Sequence, residues 1–130
     1  MRETISTDAA PKAIGPYSQA VVVGEWVFVS GQLGLSPCDG LLATTFAGQA
    51  RQALENVVAI LTAAGCGPSD VVRSTVYLTD LGSFALFNEI YREFFPPPWP
   101  AREVVQVARL PRDAAVEISA IARRPAVPVG

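Results

Sequence analysis

Apolar positions recur with two different periods along this chain, and the switches between them mark its elements. After a possible edge strand at the start, residues 10–17 form a turn-rich loop through Pro11, Gly15 and Pro16, ending at Tyr17. Gln19–Val23 and Trp26–Ser30 are strand-like and joined by Gly24-Glu25, which suits a tight hairpin. The second of these strands runs into Ser30-Gly31-Gln32, where polar groups and a bare glycine replace the expected apolar residues. Such a glycine marks a bulge or the close approach of a ligand, or simply the end of the strand. A loop over Leu35–Leu41 follows, and then the period changes. Phe46, Ala50, Ala53, Leu54, Val57, Val58, Leu61 and Ala64 fall on one helical face. Gln49, Gln52, Glu55, Asn56 and Thr62 lie elsewhere on that wheel. Thr44 or Thr45 caps the start, and Gly65 ends the helix.

Val71–Thr79 returns to a strand rich in β-branched residues, and Asp80–Ser83 turns into a second helix. Phe84, Phe87, Tyr91 and Phe94 make an aromatic stripe that reads as core, with Asn88 at its border. Pro96-Pro97-Pro98 stops this helix before Trp99. The stretch Pro100–Ala122 reads as two strands joined through Arg109–Asp113. In the second, Val116, Ile118 and Ala120 share one face, and Glu117, Ser119 and Ile121 the other. A hairpin here would bring Arg102 roughly across from Glu117, although one residue of slip would put the two on opposite faces. The pair reads either as an ordinary cross-strand ion pair or as a fixed cation and a titratable oxygen beside a cleft. The expected architecture is a single α+β domain over residues 1–124, with two helices on one face of a mixed, mostly antiparallel sheet. Residues 125–130 form a frayed tail.

Composition adds an expectation of self-association. Half of the 130 residues are hydrophobic and only 17% are charged, an apolar balance for so small a domain. No apolar run approaches the roughly 20 residues of a spanning helix, so subunit contacts are the better outlet for that excess. The uncovered sheet face points the same way. The net charge is −2 with scattered basic residues, which gives nucleic-acid binding little electrostatic support. The amino-terminal residues lack the pattern of a secretory signal, and Cys38 and Cys66 have no metal or redox spacing, as expected of free thiols in the cytoplasm. There is no histidine, which excludes Ser-His-Asp and Cys-His mechanisms and histidine-ligated metals. Chemistry must run on Arg, Glu, Asp, Tyr, Ser, backbone groups and water.

An ordered set of short motifs spans most of the chain: Ala13–Tyr17 (Ala-Ile-Gly-Pro-Tyr), Val29–Gln32, Gln49–Val57, Phe87–Tyr91, Pro100–Arg102, and Arg109–Asp113 followed by Val116–Ile118. In order and spacing this set resembles the RidA (YjgF/YER057c/UK114) family of enamine/imine deaminases. The resemblance implies a chorismate-mutase-like fold, a homotrimer with clefts at its subunit interfaces, no cofactor and no metal. It further implies hydrolysis of 2-imino acids to 2-oxo acids and ammonia. By the same resemblance Arg102 grips the substrate carboxylate, and Glu117 orients the attacking water and moves protons. Tyr17, Ser30, Gly31 and Asn88 line the cleft. Val104 stands where many members carry cysteine and would contribute a backbone contact. Pro96–Trp99 is a shorter, stiffer approach to Arg102 than in several members, and Trp99 would narrow the cleft. Three other roles stay open: a trimer that binds small carboxylates as a sensor or chaperone, RNA cleavage or translational inhibition, and mutase chemistry. Absent histidine and an acidic balance weigh against the second of these, and a mutase acting on dicarboxylates would want more than one committed cation.

Overall fold

A computed structural model describes residues 2–125; of the expected frayed tail, all but Pro125 lies outside the described residues. Strands β1 (Arg2–Ile5), β2 (Ala20–Val23) and β3 (Trp26–Gln32) form an antiparallel meander. Helix α1 (Phe46–Ala63) follows, then β4 (Val71–Leu78), helix α2 (Phe84–Phe94), β5 (Ala101–Gln106) and β6 (Val116–Arg123). The six strands form one sheet in the order β1-β2-β3-β6-β4-β5. Both helices cover the same face, α1 across β3 and β6 and α2 against α1. Together they make the α+β domain expected from the sequence. Among the described residues, no helix is long and apolar enough to cross a membrane.

The alternation read from the sequence decides which side chains enter the core. Val116, Ile118 and Ala120 of β6 are buried, whereas Glu117, Ser119 and Ile121 face away from the helices and are half-buried. Thr45 caps α1, its hydroxyl accepting the Gly48 N–H at 3.0 Å, and Gly65 leaves the helix at φ +82°. On the face without helices, Val23, Trp26, Phe28 and Val105 each stay more than a third exposed. No described element covers this apolar surface.

Two expectations fail. The final pair of strands is not a hairpin: β4 lies between β5 and β6, antiparallel to β6 and parallel to β5. Period-2 patterning sets which face a residue takes but leaves open which strand becomes its neighbour. Here α2 serves as the crossover that parallel pairing of β4 with β5 requires. The polar residues of α1 are also not all on its solvent side. Gln49 and Asn56 are buried, and Ile60, outside the expected stripe, is fully enclosed. Asn56 donates to the carbonyls of Leu33 (3.1 Å) and Leu35 (2.9 Å) and accepts from Gln52 (2.9 Å). Gln49 accepts the Ala115 N–H at 2.8 Å. Buried amides with these partners carry little desolvation penalty, so α1 can pin two connections through polar side chains turned inward.

Candidate functional site

Arg102 projects from β5 on the helix side of the sheet. It pairs in register with the buried Ser74 of β4, and its guanidinium carbon lies 4.9 Å from the ring centre of Tyr91 and 5.6 Å from that of Phe84. Both distances fall within reach of a cation–π contact. Tyr91 is itself held firmly: its hydroxyl shares a 2.6 Å hydrogen bond with Ser74, and its ring stacks on Phe95 at 4.5 Å. Burial pushes the Tyr91 phenol up from its ordinary pKa, against the opposing effects of the Ser74 hydrogen bond and the Arg102 charge. The aromatic stripe of α2 is therefore only partly core. Phe87 is fully buried, whereas the partly exposed Phe84 serves as a wall for the arginine.

Among the described residues Arg102 has no ion-pair partner. The adjacent Glu103 points to the opposite face, where both of its oxygens accept from Arg73 at 2.9 Å. The guanidinium thus stacks on hydrocarbon while its N–H fork stays available to an incoming carboxylate. The cavity beside it, about 290 Å³, is lined by Asn88, Tyr91, Arg92, Trp99, Pro100 and Arg102. Buried in its wall, the Asn88 carbonyl oxygen has no hydrogen-bond partner. Val104 lies further along β5, half-buried against the core, on a strand that forms one edge of the sheet.

Glu117 occupies a second cleft of about 580 Å³, which also contains Tyr17, Ser30, Gly31, Lys12 and Arg112. Here the break in pattern at Ser30-Gly31 proves to be a bulge. Val29 pairs with Ala120 and Gln32 with Ile118, so two residues of β3 oppose the single Ser119. A Cβ on Gly31 would lie 2.7 Å from Glu117 Oε2, so the bare backbone makes the room that the carboxylate occupies. Glu117 is half-buried and has no hydrogen-bond or ion-pair partner among the described residues, and desolvation raises its pKa above the usual carboxylate range. The Ser30 hydroxyl donates to the Ser18 carbonyl at 2.6 Å, which leaves its lone pairs as acceptors.

The loop beneath Tyr17 hangs on Gln19, a buried residue whose importance the sequence did not signal. Its carbonyl accepts the Thr7 N–H at 2.7 Å, and its amide donates to the carbonyls of Thr7 (3.1 Å) and Pro11 (2.8 Å). Among the described residues, no group of three or more His, Cys, Asp or Glu is placed to hold a metal ion.

The residues expected to act together thus fall into two groups. Arg102 and Asn88 line one cleft; Tyr17, Ser30, Gly31 and Glu117 line the other. On the intervening strand Arg102 pairs with Ser74 and Glu117 with Tyr77, positions of opposite parity, so the two side chains leave opposite faces of the sheet. Neither the cross-strand ion pair nor a shared cleft within one chain is present. Each chain carries an unpartnered cation on one side and an unpartnered acid on the other.

Residues 7–124 match the family described as Endoribonuclease L-PSP. The chain is 49% identical to the bovine 2-iminobutanoate/2-iminopropanoate deaminase, over 94% of this chain and 90% of the bovine protein. It is similar in structure to RidA from the Antarctic bacterium Psychrobacter sp. PAMC 21119, with a TM-score of 0.91 and 50% identity, over 93% of this chain and 98% of that one. Escherichia coli TdcF with bound serine gives a TM-score of 0.90 at 46% identity, over 95% and 99% of the two chains. The chain belongs to this family, the Endoribonuclease L-PSP family that includes the RidA and YjgF proteins.

Proposed function

We propose that the protein hydrolyses 2-imino acids to 2-oxo acids and ammonia, in a site completed between two copies of the chain. The observation that carries this reading is the split described above: a stacked guanidinium without a counter-ion on one face, and a half-buried carboxylate of raised pKa on the other. Two unlike half-sites on opposite faces of one sheet suit a head-to-tail contact, and a head-to-tail contact that closes forms a ring. A homotrimer is the ring proposed, with the uncovered apolar sheet face as the surface that association buries.

Within such a site Arg102 binds the substrate carboxylate through its fork, with Asn88 in the wall beside it. Glu117, near Gly31, takes a proton from water as the oxygen adds to the imine carbon. The resulting carbinolamine has C–O and C–N single bonds at one carbon. Glu117 returns the proton to nitrogen; as the C–N bond breaks, its carboxylate takes the hydroxyl proton, so ammonia leaves, the carbonyl forms, and the acid then gives that proton up to solvent. An iminium carbon is already electrophilic, so positioning and proton transfer supply what the step needs. Tyr17 and the acceptor lone pairs of Ser30 border the water, and the edge backbone near Val104 borders the substrate. The RNA cleavage in the family's description finds less support, since the chain has neither a histidine nor a basic stripe to hold a phosphate backbone. The reading of a carboxylate-binding sensor uses Arg102 but gives Glu117 no task.

The test is ammonia release from freshly generated 2-iminopropanoate. Arg102→Ala and Glu117→Ala are each expected to lower kcat/KM by about 10³-fold, from the loss of a charge-assisted anchor and of the proton-transfer group. Co-expressing the two inactive variants separates a shared site from a site within one chain. In a randomly mixed trimer, one interface of each hetero-assembly regains both groups, and about a quarter of wild-type activity returns. No recovery in assemblies shown to be mixed would overturn the shared site. A wild type no faster than buffer, yet binding 2-oxo acids through Arg102, would favour the sensor.

A further inference from the structure

Helix α2 brings a second cation to the Arg102 cavity. Phe84, Asn88 and Arg92 follow one another at i, i+4 and i+8, a single stripe along the helix. Phe84 stacks on Arg102, and Asn88 and Arg92 line the same cavity as Arg102. None of the six lining residues is acidic. Of the nearby acids, Glu93 pairs with Arg51 and Glu103 with Arg73 on the far face of the sheet, while Glu89, exposed on α2 three residues before Arg92, does not line the cavity. Arg92, like Arg102, has no ion-pair partner among the described residues. A basic residue in the last turn of a helix also complements the helix dipole. That accounts for the charge but not for its place on the wall of a cavity that already holds one unneutralised guanidinium.

We propose that Arg92 is a specificity residue, and that the cavity takes imino acids whose side chain ends in a second carboxylate. The inference rests on the deaminase reading and names its substrate class. Arg102 holds the carboxylate next to the imine carbon, and Arg92, on an exposed helix position with a long flexible side chain, reaches the distal one. Trp99 and Pro100 give the same cavity apolar lining for the methylene groups. On this wall of the site each carboxylate of a dianion meets its own cation, whereas a monocarboxylate leaves Arg92 unanswered; the second cleft contributes Glu117 together with Lys12 and Arg112.

The experiment compares 2-iminoglutarate with 2-iminopropanoate, each generated in the assay from its amino acid by an oxidase, for wild type, Arg92→Gln and Arg92→Lys. The readout is the ratio of the two kcat/KM values. Arg92→Gln is expected to lower the dicarboxylate-to-monocarboxylate ratio by about 10- to 100-fold, the size of one charge-assisted contact, and Arg92→Lys to restore part of it. A ratio that moves less than about threefold overturns the assignment, whatever the absolute rates, because one lost charge-assisted contact must exceed it. If the wild type hydrolyses neither compound, the deaminase reading falls, and calorimetric binding of 2-oxoglutarate against 2-oxobutanoate judges Arg92 independently. Selective loss of 2-oxoglutarate binding in Arg92→Gln upholds the assignment, and equal binding by both proteins overturns it.

Discussion

The two clefts are built by opposite means. The Arg102 guanidinium is held by regular structure, on a strand residue in register with Ser74 and backed by aromatic rings two helical turns apart, although Trp99 and Pro100 of a connection also line the cleft. The Glu117 cleft is built from irregular structure: a bulge in β3, a loop suspended from Gln19, and a missing Cβ at Gly31. A permanently charged side chain can be held by stacking against a rigid wall. An acid that must gain and lose a proton needs partial dehydration without a fixed partner, and space beside a bulge provides that.

Gly31→Ala tests this contrast most severely. The added methyl would meet the far end of the flexible Glu117 side chain at 2.7 Å, so the carboxylate must turn away while the backbone stays. Deamination is expected to fall by about 100-fold with stability changed by less than about 1 kcal/mol. Gly34→Ala makes the useful partner, because there the methyl would meet the Gln49 backbone at 2.5 Å. Overpacking against main chain is expected to cost about 3 kcal/mol in denaturant unfolding. Loss of stability in both variants, or in neither, would remove the distinction between a glycine that serves the acid and one that serves the fold.

On the rigid side, Tyr91→Phe removes the bond to Ser74 and leaves a buried hydroxyl unsatisfied. The expected cost is about 1–2 kcal/mol of stability, with a smaller, severalfold rise in KM as the arginine's support loosens. An unchanged KM would mean that ring stacking alone fixes Arg102.

The smallest effect concerns Glu117 and pH. Its folded-state pKa lies above the unfolded value because burial penalises the charged form, so the folded protein binds the proton more tightly than the unfolded chain. The penalty is absent below the ordinary carboxylate pKa and grows as pH rises through the folded value. Glu117→Gln is therefore expected to raise Tm by about 1–3 °C at pH 7 and by nothing at pH 4. In the wild type, kcat/KM is expected to rise with pH through an apparent pKa above the usual range of glutamate. A Tm difference that persists at pH 4 would point to packing rather than ionisation.

How much of this was legible follows from what a pattern encodes. Alternation assigns faces, so the burial of Val116, Ile118 and Ala120 and the outward position of Glu117 could be read directly. Neighbours are a different matter. Nothing in the local spacing of Pro100–Ala122 says that β4 will intervene, and that insertion separates Arg102 from Glu117. Gly31 could be narrowed to a bulge or a strand end but not decided, because the register of β3 against β6 depends on residues some ninety positions later. Gln19 and Asn56 were missed for the reason that polarity normally signals solvent. Their partners are main-chain carbonyls of distant loops, which have no signature in the identity of the residues that carry them. The motif set that resembles the RidA family contains residues of both clefts, and topology distributes them over two surfaces.

Helix α2 presents Phe87, Ile90 and Tyr91 inward, while Phe84 and Arg92 stand on exposed positions. Substitution on the inner stripe disturbs packing throughout the domain, whereas exposed positions usually change stability by less than about 0.5 kcal/mol. On the reading proposed above, Arg92 chooses the substrate from a position where mutation is cheap for the fold. A lineage carrying this domain could then try new imino acids through Arg92 at little cost to the fold, and on that reading relatives are expected to differ at this position before they differ at Phe84, whose ring supports Arg102.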